Sequence, residues 1–101
     1  MRFGLSDRVI EELQDVFNRH SNISKVLIFG SRAKGNYREG SDIDLAALGT
    51  GLDYAQLLQI LTEINDLEQL YSVDLLDYSK TINTPIGEHI DRVGQVFYQS
   101  A

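Results

Sequence analysis

Residues 25–48 read KVLIFGSRAKGNYREGSDIDLAAL. The β-rich run Lys25-Val26-Leu27-Ile28-Phe29 stops at Gly30, which reads as a buried strand. Ser31 to Gly35 suits one short helical turn, and Gly35 to Gly40 a loop. Ile43-Asp44-Leu45-Ala46-Ala47-Leu48 is a second strand, closed by Gly49-Thr50-Gly51. The half around Gly30 and Ser31 is suited to touching an anion. The half around Asp42 and Asp44 carries two carboxylates that no cation nearby in the stretch cancels.

Working outward, Ser6 or Asp7 caps a first helix, and Val9, Ile10, Leu13, Val16 and Phe17 give it one apolar stripe. Asp53 caps a second long helix, with Leu57, Leu58, Ile60, Leu61, Ile64 and Leu67 on its apolar side and fraying expected near Gln69-Leu70-Tyr71. Ser72 to Asp77 is a third strand. Pro85 opens a third long helix over 85–93 and Gly94 ends it. Gln95 to Tyr98 is a short fourth strand at an edge. Val96, Phe97 and Tyr98 either pack on the core or form an association edge, through which a homodimer would assemble. The order predicts a layered α/β or α+β fold, a small mixed sheet with helices packed on it.

The 101 residues make one domain, 1–101, at 43% hydrophobic and 24% charged. There is no cysteine, which excludes disulfides, thiolate metal sites and cysteine nucleophiles. The first residues carry no long apolar core of a signal peptide, and no run of about 18 apolar residues exists. A cytoplasmic, membrane-free protein is the expectation. The net charge of −6 argues against general nucleic-acid binding and, with no basic recognition helix, against a sequence-specific binder. The basic residues Arg32, Lys34 and Arg38 nevertheless cluster, which suits a small phosphorylated ligand.

At a strand end, Gly30 lets a ligand approach the backbone, Ser31 offers a hydroxyl, and the amides opening a helix favour phosphate. Taken alone, this is first of all a structural turn. It is not a Walker loop, because Asn36-Tyr37 stand where Lys and Ser or Thr would follow Gly35, and the Rossmann spacing is absent. Asp42 and Asp44 are two positions apart and, in a strand, share one face, ~6–7 Å apart at ~3.3 Å per residue. Each alone also reads as a solvated or turn-capping acid. Asp74, in the third strand, completes a carboxylate trio if that strand neighbours the second. Such a set suits Mg²⁺, which shares its shell with phosphates. A metal–nucleoside triphosphate between turn and acids would reconcile the two halves. His20 reads as a cation closing the first helix. His89 is mid-helix with no paired ligand at zinc spacing. Ser31 has no adjacent histidine to serve as base.

Gly30-Ser31, ten residues, then Asp42-Ile43-Asp44-Leu45 resembles the signature of the DNA polymerase beta-like nucleotidyltransferase superfamily. The fuller string, Gly-Ser-Arg-Ala-Lys-Gly through Gly-Ser-Asp-Ile-Asp-Leu, resembles its minimal nucleotidyltransferase (MNT) branch. The resemblance implies the polymerase beta-like fold and transfer of a nucleoside monophosphate, usually AMP from ATP, to a hydroxyl. It implies triphosphate contacts at Gly30 and Ser31 and basic nucleotide-binding positions at Arg32 and Lys34. Asp42, Asp44 and Asp74 become catalytic carboxylates holding Mg²⁺, two ions with nucleotide bound, with Asp74 assisting the acceptor hydroxyl. It further implies a helical-bundle partner of the HEPN type, whose tyrosine would be the acceptor in a toxin–antitoxin pair. The alternative is a non-catalytic antitoxin that binds nucleotide and neutralises such a partner by contact.

Overall fold

The computed structural model describes residues 2–67 and 70–101. Helix α1 (Asp7–Asn18) starts where Ser6 Oγ accepts the Val9 N–H at 3.3 Å. Strand β1 (Ile23–Phe29) leads into a five-residue helix, α2 (Gly30–Lys34), and strand β2 (Ile43–Gly49) follows the loop. Helix α3 (Tyr54–Asn65) is capped by Asp53, whose carboxylate accepts the Gln56 N–H at 2.8 Å. Strand β3 (Val73–Asp77), helix α4 (Pro85–Val93) and strand β4 (Gln95–Gln99) complete the chain. Gln69, in the expected frayed end of α3, lies outside the described residues.

The strands form one mixed sheet in the order β3-β2-β1-β4. β1 runs antiparallel to β2 and β4, while β2 and β3 are parallel, joined by the α3 crossover. The expected α+β class is right. One element was unforeseen: Asp77, 8% exposed, accepts the Ser79 N–H at 3.0 Å and the Ser79 hydroxyl at 2.8 Å, and this caps a 3₁₀ turn at Tyr78–Lys80. Among the described residues no helix is long and apolar enough to cross a membrane.

The strand alternation divides the sheet into two unlike faces. On one face Val26, Ile28, Ile43, Leu45, Ala47 and Leu75 meet the stripes of α1 and α3, including Phe17, Ile60 and Ile64, in the main core. The opposite face carries Phe29, Ala46, Leu27 and Leu76 and is covered by α4 through Ile90 and Val93. Asp44 pairs with Phe29 across the ladder and Ala46 with Leu27, so Asp44 belongs to this second, thinly covered face. The β4 alternatives are divided residue by residue: Phe97 and Tyr98 are buried, while Val96 is exposed.

Ile90 is 1% exposed and anchors that cover. Ile90→Ala should cost about 2–5 kcal/mol, since truncating a buried Ile loses transfer energy and leaves a cavity. On a domain of ~5–15 kcal/mol total stability, urea denaturation should show a large fall in midpoint with an unchanged slope.

Candidate active site

β2 and β3 place Asp44 and Asp74 as direct partners in the parallel ladder, Asp44 opposite Asp74 as Ile43 is opposite Val73. Neighbouring strands lie ~4.7–4.9 Å apart, so the two carboxyls are held together by backbone pairing and not by chance side-chain placement. Asp44 is half-buried and Asp74 exposed. Burial first, then the negative charges of Asp74 and Asp42 and a hydrogen bond with the Asp74 carboxyl, push the Asp44 pKa above its ordinary value. The His89 charge opposes this.

Asp42 differs from its expected setting. β2 begins at Ile43, so Asp42 sits just outside the strand and is exposed. Strand alternation therefore does not hold it beside Asp44. Its peptide neighbours do: the Ile43 N–H donates to the Ser72 carbonyl at 2.9 Å on one side, and the Ser41 carbonyl is held on the other.

Gly30 makes the turn from β1 into α2 with φ +72°, a conformation costly for any residue with a Cβ. The turn presses on the acids: a Cβ built on Gly30 would stand 2.3 Å from Asp44 Oδ2. Ser31 is the next residue, half-buried. The first N–H groups of a helix lack intrahelical partners, so the α2 start brings donors to the same end of the sheet as the acids. Lys34, in the last turn of α2, is exposed.

Arg32 is placed otherwise than the expected nucleotide contact. It is 3% exposed. Its Nε and Nη2 donate to the Ser41 carbonyl at 3.0 and 2.8 Å, and Nη1 donates to the Phe3 carbonyl at 2.9 Å. Its guanidinium carbon lies over the rings of Tyr37 and Tyr71, 5.3 and 4.8 Å from their centroids. A guanidinium spent on two carbonyls and two rings is a tether within the protein.

His89, which has no paired ligand at zinc spacing, is placed where it acts on Asp44. Its ring meets Phe29 edge-on at 6.1 Å. The signal was available: Ile86, His89, Ile90 and Val93 share one helical stripe, so the histidine had to face the sheet. His20 is engaged elsewhere, with Nε2 2.8 Å from Glu63.

The donor set of Asp42, Asp44 and Asp74 is all hard oxygen, the chemistry Mg²⁺ selects. Two of these acids share a hydrogen bond where like charges would otherwise repel, and a divalent cation would relieve the same crowding. The fit to the ion is one of donor chemistry: among the described residues no three His, Cys, Asp or Glu side chains are grouped so that they could hold a metal ion. Beside Asp44 and Asp74 lies a groove of about 340 Å³ lined also by Phe29, Val73, Leu76 and Ile86.

The profile of the family described as polymerase beta nucleotidyltransferase matches residues 11–101. The chain belongs to that nucleotidyltransferase family. No curated protein matches the chain. Solved structures do share the nucleotidyltransferase domain's fold. A toxin–antitoxin crystal structure with AMP-PNP is similar at TM-score 0.69 and 23% identity, over 95% of this chain and 75% of that one. A MntA–HepT toxin–antitoxin structure is similar at TM-score 0.68 and 17% identity, over 94% and 74%. A structure of tri-AMPylated Shewanella oneidensis HEPN toxin in complex with MNT antitoxin is similar at TM-score 0.60 and 21% identity, over 93% and 69%.

Proposed function

We propose that this nucleotidyltransferase transfers AMP from ATP to a hydroxyl on a protein partner, a tyrosine of a HEPN-type helical protein, as the antitoxin of a toxin–antitoxin pair. The observation that carries the reading is the register of Asp44 on Asp74 beside the Gly30 turn. The toxin–antitoxin structures of like fold support the choice of partner and nucleotide.

In this reading the Gly30-Ser31 turn holds the triphosphate through backbone N–H groups and the Ser31 hydroxyl, and Lys34 adds positive charge from the end of α2. Asp42, Asp44 and Asp74 would hold Mg²⁺, two ions with nucleotide bound, which supply charge neutralisation on the phosphates and activation of the attacking oxygen. Asp74, the more exposed partner of the pair, would accept the acceptor's proton. The acceptor oxygen bonds to the α-phosphorus of ATP and the bond to pyrophosphate breaks. The chain's own contribution is position and charge. The groove flanked by Val73, Leu76 and Ile86 suits an acceptor presented on an apolar surface.

Incubation with the protein encoded by the adjacent gene, Mg²⁺ and ATP labelled at the α-phosphate should label that protein, and γ-labelled ATP should not. Label from the γ position, or none on any natural acceptor, would overturn the reading. A second reading, neutralisation by contact, draws on apolar side chains left exposed: Ile86, at 40% on the groove, and Ile82, at 57% four positions before it. Complete neutralisation of the partner by the Asp42→Asn/Asp44→Asn protein would favour it.

A further inference from the structure

Arg32 is a buried cation that appears in no ion pair among the described residues. Burying a charge is costly unless its donors are satisfied, so what those donors hold is informative. Two of the three described bonds converge on one atom, the Ser41 carbonyl oxygen. The peptide group is planar, so fixing that carbonyl also fixes the Asp42 amide on the other side of the same bond. The next amide, Ile43 N–H, is pinned to Ser72. Asp42 is thus bracketed between two anchored groups while its own side chain is exposed.

The loop does not supply this anchor itself. The Arg38 N–H donates to Ser41 Oγ at 2.9 Å and the Ser41 N–H donates to the Arg38 carbonyl at 3.0 Å. These close a turn without attaching it to the domain. The third guanidinium bond reaches the Phe3 carbonyl. The N-terminal turn lies tightly against the same group: a Cβ on Gly4 would come 2.4 Å from Tyr37 Cε2 and 2.9 Å from Arg32 Nη1.

We infer that Arg32 is a positioning residue that sets Asp42 against Asp44 through the Ser41 carbonyl, with the N-terminal turn as its back support. The inference rests on the functional reading above for the role of Asp42. Lysine cannot replace it, because one ammonium cannot reproduce the planar fork on Ser41 together with the bond to Phe3.

The test combines amide hydrogen exchange with two binding titrations on wild type, Arg32→Lys and Arg32→Gln. In wild type the Ser41 and Ile43 amides should be protected. In both variants their exchange should accelerate at least about tenfold while amides of β1 and β2 away from the loop keep their rates. Mn²⁺ binding in the presence of ATP should weaken about 10–100-fold, the usual effect of losing a group that orients a metal ligand. ATP binding in EDTA should be unchanged. A loss of metal-free ATP affinity with unchanged loop exchange would make Arg32 a phosphate contact and overturn the inference. If neither variant folds, wild type decides: rapid exchange at Ser41 with Arg32 intact overturns it, and protection there supports it. A wild type that binds no Mn²⁺ defeats the functional reading, and loop exchange then reports on the tether alone.

Discussion

Asp44→Asn should abolish nucleotidyl transfer and, at neutral pH, make the ligand-free protein more stable. The loss of transfer should reach at least about 10²–10³-fold, the scale on which removing one preorganised charge-stabilising group acts. The gain in stability follows from the pKa. Burial, Asp74 and Asp42 raise the folded-state pKa of Asp44 above its ordinary 3.8, so the folded protein holds that proton more tightly than the unfolded chain does. Stability then falls as pH rises from the ordinary carboxylate value through the raised one, and above it the penalty is complete. Asparagine carries no charge at any pH, and its amide N–H can donate to Asp74 as the shared proton does. The variant should therefore melt above wild type near pH 7, and the two should converge below the ordinary carboxylate value. Mg²⁺ with ATP should raise the melting temperature of wild type and leave the variant unmoved. A variant that melts lower than wild type at neutral pH would mean the acids are not under mutual strain.

Gly30→Ala should be nearly as damaging to transfer, by a steric route. Alanine at φ +72° costs about 1–2 kcal/mol in backbone strain. Its methyl would also stand 2.3 Å from Asp44 Oδ2. The Asp44 main chain is paired to Phe29 on one side and Asp74 on the other, so the collision is relieved by turning the carboxylate out of its position or by opening the turn. A misplacement of ~1 Å can cost on the order of 10² in rate. Gly35→Ala supplies the control. It has φ +86° with nothing within 4 Å of the added Cβ, so it bears the strain without the collision. Transfer by Gly35→Ala should stay within a few fold of wild type. Equal losses in the two variants would show that backbone strain, and not the carboxylate contact, governs the effect.

Much of this geometry was legible from local pattern. Ser6, Asp53, Pro85 and Gly94 marked helix ends because capping is decided by a few adjacent atoms. The apolar stripe of α1 and the alternation Ile43-Asp44-Leu45 declared their buried sides. The interval from Gly30-Ser31 to Asp42 and Asp44 pointed to the nucleotidyltransferase family before any coordinates. Three things were out of reach. That β3 lies parallel to β2 with Asp74 opposite Asp44 depends on a crossover that no local rule dictates. The burial of Arg32 depends on the N-terminal turn and Ser41, which arrive from opposite directions in the chain. What holds Asp42, just ahead of the strand expected to start at Ile43, depends on where the Ser72 carbonyl and the Arg32 fork on Ser41 fall. His89 belongs to another class: its helical stripe named its side of the sheet, but which acid lay beneath it was a tertiary fact.

The parallel pairing of β2 and β3 has a consequence for redesign. The gap between Asp44 and Asp74 is one rung of a hydrogen-bonded ladder, so substitutions on the exposed side of the connecting segment leave that spacing unaltered so long as Ile60 and Ile64 of α3 still fill the core. Asp42 has no such insulation, because its place depends on the excursion over residues 36–41. Natural variation or laboratory selection can therefore retune one acid of the three by editing a surface excursion, while the other two keep a distance dictated by the backbone.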